Sequence, residues 1–161
     1  MTPPIVLDNT VLTNFAVVNR ANWVIDLLGA DAWTTTAVLG EYEAGVAGGA
    51  LPPAAWPALV VVTLTNEEAA LARNLPPRLG LGERSCLAVA LLRQGILASD
   101  DRRARRVAQQ QGAPTTGTIG LLVIGVQYQR WSLAEANAAL AQMIALGFRS
   151  PVTMLDDLIA L

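Results

Sequence analysis

Short apolar runs alternate along the chain with longer stretches of helical period. Ile5–Leu7, Ala32–Thr35, Leu59–Leu64, Ile96–Ala98 and Pro114–Thr116 each read as a strand. Between them, apolar residues recur three and four apart. Val11, Leu12, Phe15 and Val18 predict one helix, and Trp23, Ile25, Leu27 and Leu28 a second that Gly29 stops. Thr36–Val46 predicts a third. A fourth is capped at Thr65 or Asn66, carries Glu67 and Glu68 in its first turn and ends near Asn74. Further helices are expected over Gly82–Gln94, from Arg102 to the stop at Gly112, and from Gly117-Thr118 through Val126. Ser132 and Glu135 form a capping box for a helix that Gly147 stops, and Ser150-Pro151 opens a last helix to Leu161. Gly45–Pro57 reads as a Gly-, Ala- and Pro-rich connection, and Pro76–Gly82 as a loop. Strands alternating with helices predict an α/β fold, a parallel sheet covered by helices on both faces.

The polar positions that interrupt this pattern are unusual in one way. Asp8 ends the first strand just as a helix begins, and Ser99, Asp100 and Asp101 repeat that arrangement after Ile96–Ala98. Strand ends of this kind are where open α/β sheets bind ligands. One aspartate at a helix start is well explained as a cap, two adjacent ones less well. Glu41 falls three after Val38 and four after Ala37, so the spacing puts a carboxylate on an apolar face, a costly place unless it is paired or metal-bound. Glu83 lies in the first turn of its helix, on the side of Leu87 and Ala90. Its position suits the helix dipole, or a third carboxylate facing the strand ends.

Composition narrows the chemistry. At 161 residues, 53% hydrophobic and 15% charged, the chain reads as one globular domain over 1–161. It has no His, which excludes Ser-His and Cys-His catalysis. Its eleven basic residues are all Arg, so no lysine nucleophile, P-loop lysine or receiver-domain lysine is available. Cys86 stands alone in an apolar helix and reads as an inert core thiol. No basic region precedes the first apolar run, and no apolar span reaches membrane length, so a cytoplasmic location is expected. Chemistry is left to carboxylates, hydroxyls, Arg or a metal. Four carboxylates from separate segments could not all stay ionised together unaided, and all-oxygen ligands suit Mg²⁺ or Mn²⁺. The net charge of −2 is not that of a typical nucleic-acid binder, yet Arg102, Arg103, Arg105 and Arg106 crowd one helix. The spacing puts Arg102, Arg103 and Arg106 on its outer face and Arg105 to one side. That face is a solvated surface, or it flanks the path of an entering nucleic-acid strand, or it docks an acidic protein tail.

LDNTVL, Glu41, GERSCLAVAL, SDDRRAR and GTIGLL, in that order, resemble the PIN-domain ribonuclease family, in particular its prokaryotic branch related to VapC toxins. The resemblance runs from about Ile5 to Leu122. It implies a three-layer α/β/α fold and an endoribonuclease dependent on Mg²⁺ or Mn²⁺. Its carboxylates would be Asp8, Glu41, Glu83 and Asp100 or Asp101, with Asn9, Ser99 and Thr118 as secondary candidates and Arg102, Arg103 and Arg106 as RNA contacts. Glu83 stands where many members carry Asp. The resemblance also implies RNA as substrate, a cognate antitoxin as partner and a homodimer. Residues 130–161 read as a C-terminal helical extension. The alternative is a non-catalytic PIN-like module that binds RNA or protein. A phosphohydrolase with a strand-end Asp nucleophile fits poorly, because Thr10 stands where a second Asp is needed and no lysine exists.

Overall fold

The computed structural model describes residues 2–54, 56 and 58–159. Its strands are β1 (Ile5–Leu7), β2 (Ala32–Thr35), β3 (Val60–Val62), β4 (Ile96–Ala98) and β5 (Thr115–Thr116). All pair in parallel, in the order β3-β2-β1-β4-β5. Helices α1 (Asn9–Val17) and α2 (Ala21–Leu28) follow β1, and α3 (Thr36–Ala47) follows β2. Helices α4 (Asn66–Asn74) and α5 (Leu81–Leu92) carry the chain from β3 back across the sheet to β4. Helix α6 (Arg102–Gln111) joins β4 to β5, and α7 (Thr118–Gln127) and α8 (Leu133–Ala145) complete the chain's helices among the described residues.

The chain moves outward from β1 to β3, then restarts at β4 on the other side of β1. The carboxyl ends of β1 and β4 therefore form a topological switch point, where the loops diverge and leave a crevice. Helices cover both faces of this parallel sheet. Helix α5 packs against β1, β2 and β4 and touches α6, while α1 gathers α2, α3, α7 and α8. Leu7, Leu12, Phe15, Leu87, Leu97 and Leu122 are fully buried between these layers. Leu7 pairs with Ala98, the Asp8 N–H donates to the Ala98 carbonyl at 2.9 Å, and the Ser99 N–H to Thr116 at 3.0 Å. This register sets Asp8, Ser99 and Gly117 side by side at one end of the sheet.

Helix α8 is held by aromatic packing. Trp131, just before it, stacks on Trp23 of α2 with centroids 4.3 Å apart and donates Nε1–H to the Leu122 carbonyl at 3.1 Å. The expected last helix from Ser150 is absent. Residues 150–159 run without an α-helix, with one 3₁₀ turn at Asp156–Leu158, and its predicted end at 160–161 lies outside the described residues. The Ser150 hydroxyl takes the Val152 N–H at 3.2 Å, and Asn137 of α8 takes the Leu155 N–H at 2.8 Å and donates to Asp156 at 2.9 Å. These side-chain bonds to backbone compete with helix formation and pin the segment through buried Leu155. In the predicted connection 45–57, the Tyr42 hydroxyl donates to the Pro52 carbonyl at 2.5 Å, and residues 55 and 57 lie outside the description.

Candidate active site at the switch point

Asp8 caps α1 and is 2% exposed. Its Oδ1 accepts from the Asn9 N–H at 2.6 Å and its Oδ2 from the Ser99 hydroxyl at 2.8 Å. Burial raises its pKa from 3.8 to about 6; these two hydrogen bonds oppose the rise, and the Glu83 and Glu41 charges add to it. Ser99 is fully buried and also accepts the Asp101 N–H at 3.2 Å, so one hydroxyl orients both strand ends.

The two adjacent aspartates serve different helices. Asp101 is the N-cap of α6 and accepts the Ala104 N–H at 2.9 Å. Asp100 turns the other way, onto the start of α7. Its Oδ1 takes the Thr118 N–H at 2.8 Å and its Oδ2 takes the Thr118 hydroxyl at 2.5 Å and Asn14 Nδ2–H at 3.0 Å. Its own N–H donates to the Thr10 hydroxyl at 3.0 Å, tying β4 to α1. Thr118 is the first residue of α7, after the cap Gly117. It binds Asp100 through both of its donors.

Glu41 and Glu83 meet this site from α3 and α5. Glu41 is exposed, not turned into the apolar layer as its spacing suggests, and accepts the Gly82 N–H at 3.0 Å at the start of α5. A Cβ on Gly82 would stand 2.6 Å from the Glu41 carboxylate, so only glycine leaves it this room. Glu83 is half-buried and takes the Gly80 N–H at 2.9 Å. Burial raises its pKa, the Gly80 bond opposes this, Asp101 and Glu41 add to the rise, and Arg103 opposes it.

Among the five carboxylates, the charges of Glu83 and Glu41 reach Asp8, and those of Asp101 and Glu41 reach Glu83. The five do not converge as expected. Among the described residues, no group of three acidic side chains is gathered closely enough to hold a metal ion. The reason is local: Asp8, Glu41, Glu83, Asp100 and Asp101 each point at an N–H of a nearby helix start. The donor chemistry nevertheless fits a hard divalent cation, being oxygen throughout. A further acceptor, Asn9 Oδ1, is buried beside Asp8 without a hydrogen-bond partner.

A family model described as a PIN domain matches residues 4–161. The chain belongs to the PIN-domain family. No curated protein matches it. PIN domains are generally nucleases and typically use divalent metal ions. In this PIN domain the match includes the segment after Arg130 that the sequence resemblance did not reach. No helix among the described residues is long and apolar enough to cross a membrane.

Two further residues enter the site, and neither stood out in the sequence. Asn14 is buried on α1 and bridges Asp100 and the Thr118 hydroxyl, the latter at 3.2 Å. Its signal was a lone amide three residues after buried Val11 on an otherwise apolar helix face. Arg105, expected to lie aside, donates Nη1–H to the Ser99 carbonyl at 3.1 Å. Arg102, Arg103 and Arg106 are exposed, but they do not act as one face. Arg102 and Arg105 line a cleft with Asp100, and Arg103 and Arg106 line another with Arg78.

Proposed function

We propose that this PIN domain is an endoribonuclease that hydrolyses RNA phosphodiester bonds with Mg²⁺ or Mn²⁺, and that it is the toxin of a toxin–antitoxin module. The observation that carries the nuclease reading is Asp8. Its carboxylate is buried at the switch point, its pKa is raised to about 6, and Glu41 and Glu83 increase the cost of its charge. A divalent cation held there would supply the missing positive charge and, with it, activation of water and neutralisation of charge on a phosphoryl group. Asp8, Glu41, Glu83 and Asp100 or Asp101 would hold it, and Asn9 Oδ1 is a further oxygen acceptor without a protein partner. Ser99 keeps Asp8 facing the crevice, and Asn14 and Thr118 fix Asp100. The toxin assignment and an antitoxin partner rest on the ordered sequence resemblance alone.

A second reading has its own observation. Every one of the carboxylates already has a protein donor, which suits a PIN-like module that binds RNA or protein without cutting it. Incubation of the purified protein with RNA decides between them. The nuclease reading expects cleavage with Mg²⁺ or Mn²⁺, none in chelator, and none from Asp8→Asn in a folded protein. Equal cleavage in chelator would sink the metal mechanism, and RNA binding without cleavage at any metal concentration would favour the binding module.

A further inference from the structure

The cleft beside Asp100 encloses about 530 Å³, within the range of small-molecule sites. Three guanidinium groups line it: Arg102 and Arg105 from α6, and Arg149 from the segment after α8. The ion pair found among the described residues is Arg93 with Glu68, so none of these three is neutralised by one. Against the single Asp100 carboxylate they leave the cleft with two excess positive charges. Asp100 itself is turned onto Thr118 and Asn14. Arg105 is held in place by its bond to the Ser99 carbonyl.

The cleft's apolar lining comes from Ile119 and from Phe148, which is half-buried against the core. Phe148 reaches it through a turn that only glycine adopts easily. Gly147 sits at φ 115°, and the Phe148 N–H closes back on the Met143 carbonyl at 2.9 Å. Arg149 follows directly and lines the same cleft as Arg102 and Arg105 of α6. Guanidinium groups and an aromatic ring lining one cleft are the two halves of a nucleotide site, one for phosphate and one for a base face. The cleft with Arg78, Arg103 and Arg106 has the charge without an aromatic wall.

We infer that the cleft of Arg102, Arg105, Arg149 and Phe148 seats one nucleotide of a single-stranded RNA, its phosphate on the arginines and its base on Phe148, next to Asp100. The strand's identity as RNA rests on the nuclease reading; the nucleotide pocket itself does not. A duplex presents no free base face and does not fit this arrangement.

The test is a titration in chelator, so that cleavage plays no part. Adenosine 5′-monophosphate and inorganic phosphate are followed by calorimetry, and a short fluorescent single-stranded RNA by anisotropy. The nucleotide is expected to bind at least tenfold more tightly than phosphate. Arg149→Ala, at an exposed position, should weaken both the nucleotide and the RNA at least tenfold and lower the salt slope for RNA by about one. Phe148→Leu, which keeps the packing, should bring nucleotide affinity close to that of phosphate. Arg78→Ala should leave nucleotide affinity unchanged. Nucleotide and phosphate binding equally, or RNA affinity unchanged in Arg149→Ala, overturns the inference. A wild-type protein that holds the nucleotide in chelator but never cuts RNA would sink the nuclease reading and leave the pocket standing.

Discussion

Thr118 holds Asp100 with two donors at once, its backbone N–H at 2.8 Å and its hydroxyl at 2.5 Å. The Asp100 carboxylate thereby sits on the positive end of α7 although it belongs to the turn after β4. Thr118→Val keeps the shape and the N–H but removes the hydroxyl. The fold should survive, and Mn²⁺ affinity should fall by about ten- to a hundredfold, the usual cost of losing a group that orients a ligand. Isothermal titration with Mn²⁺ checks this. Unchanged affinity would remove Asp100 from the proposed metal site.

The pH dependence of Asp8 follows from its environment. Its folded pKa is about 6 against an ordinary 3.8, so the folded state holds the proton more tightly than the unfolded state. Stability should fall as pH rises from about 4 to 6 and stay lowered above that. The loss amounts to about 3 kcal/mol, given about 1.4 kcal/mol per pH unit of displacement. Asp8→Asn removes the charge and should stabilise the protein at pH 7 by about 2–3 kcal/mol, and by little at pH 4. Denaturant melts of both proteins at the two pH values measure this. Destabilisation at pH 7 would show that the capping bond to Asn9 outweighs the buried charge.

Gly82→Ala separates site geometry from stability. Alanine favours a helix interior over glycine by up to about 1 kcal/mol. The obstacle is the end of a flexible, exposed Glu41 side chain, which can swing away. The melting temperature should hold or rise slightly, while metal-dependent RNA cleavage drops as Glu41 leaves its place. A large loss of stability would mean that Glu41 cannot move.

An ion pair between half-buried Arg93 and buried Glu68 lies away from the site. Glu68 is 2% exposed, accepts from Arg93 Nε at 2.5 Å and Nη2 at 3.0 Å, and completes the capping box of Thr65. The Arg93 hydrogen bond is the main reason that its pKa is lowered. Arg93→Met strands a buried carboxylate and should cost about 2–3 kcal/mol at pH 7. The cost should shrink at acid pH, as Glu68 takes up a proton and its lowered pKa is passed. RNA cleavage at low temperature should be unaffected.

Local pattern was enough for the strands and most helix starts, because each depends on near neighbours in the chain, and the alternation of the two predicted a parallel sheet. Ile5–Leu7 followed by Asp8, and Ser132 with Glu135, are read without any partner. The last helix failed for the same reason in reverse. Ser150-Pro151 is a sound local start, but Asn137, in an earlier helix, binds the backbone at Leu155 and holds the segment extended.

The sequence by itself determined that chemistry here rests on carboxylates and arginines, since His and Lys are absent, and that Asp8 and Asp100/Asp101 stand at strand ends. Only the tertiary structure decided what each does. Which of two adjacent aspartates faces the crevice depends on α7, which begins many residues later and offers Asp100 the Thr118 donors. Whether Glu41 points inward depends on Gly82, a residue of another helix. Whether Arg105 is a bystander depends on the Ser99 carbonyl beyond the end of β4, to which its guanidinium donates. A side chain's direction at a helix surface is set by hydrogen bonds to groups distant in sequence, and no local periodicity encodes those.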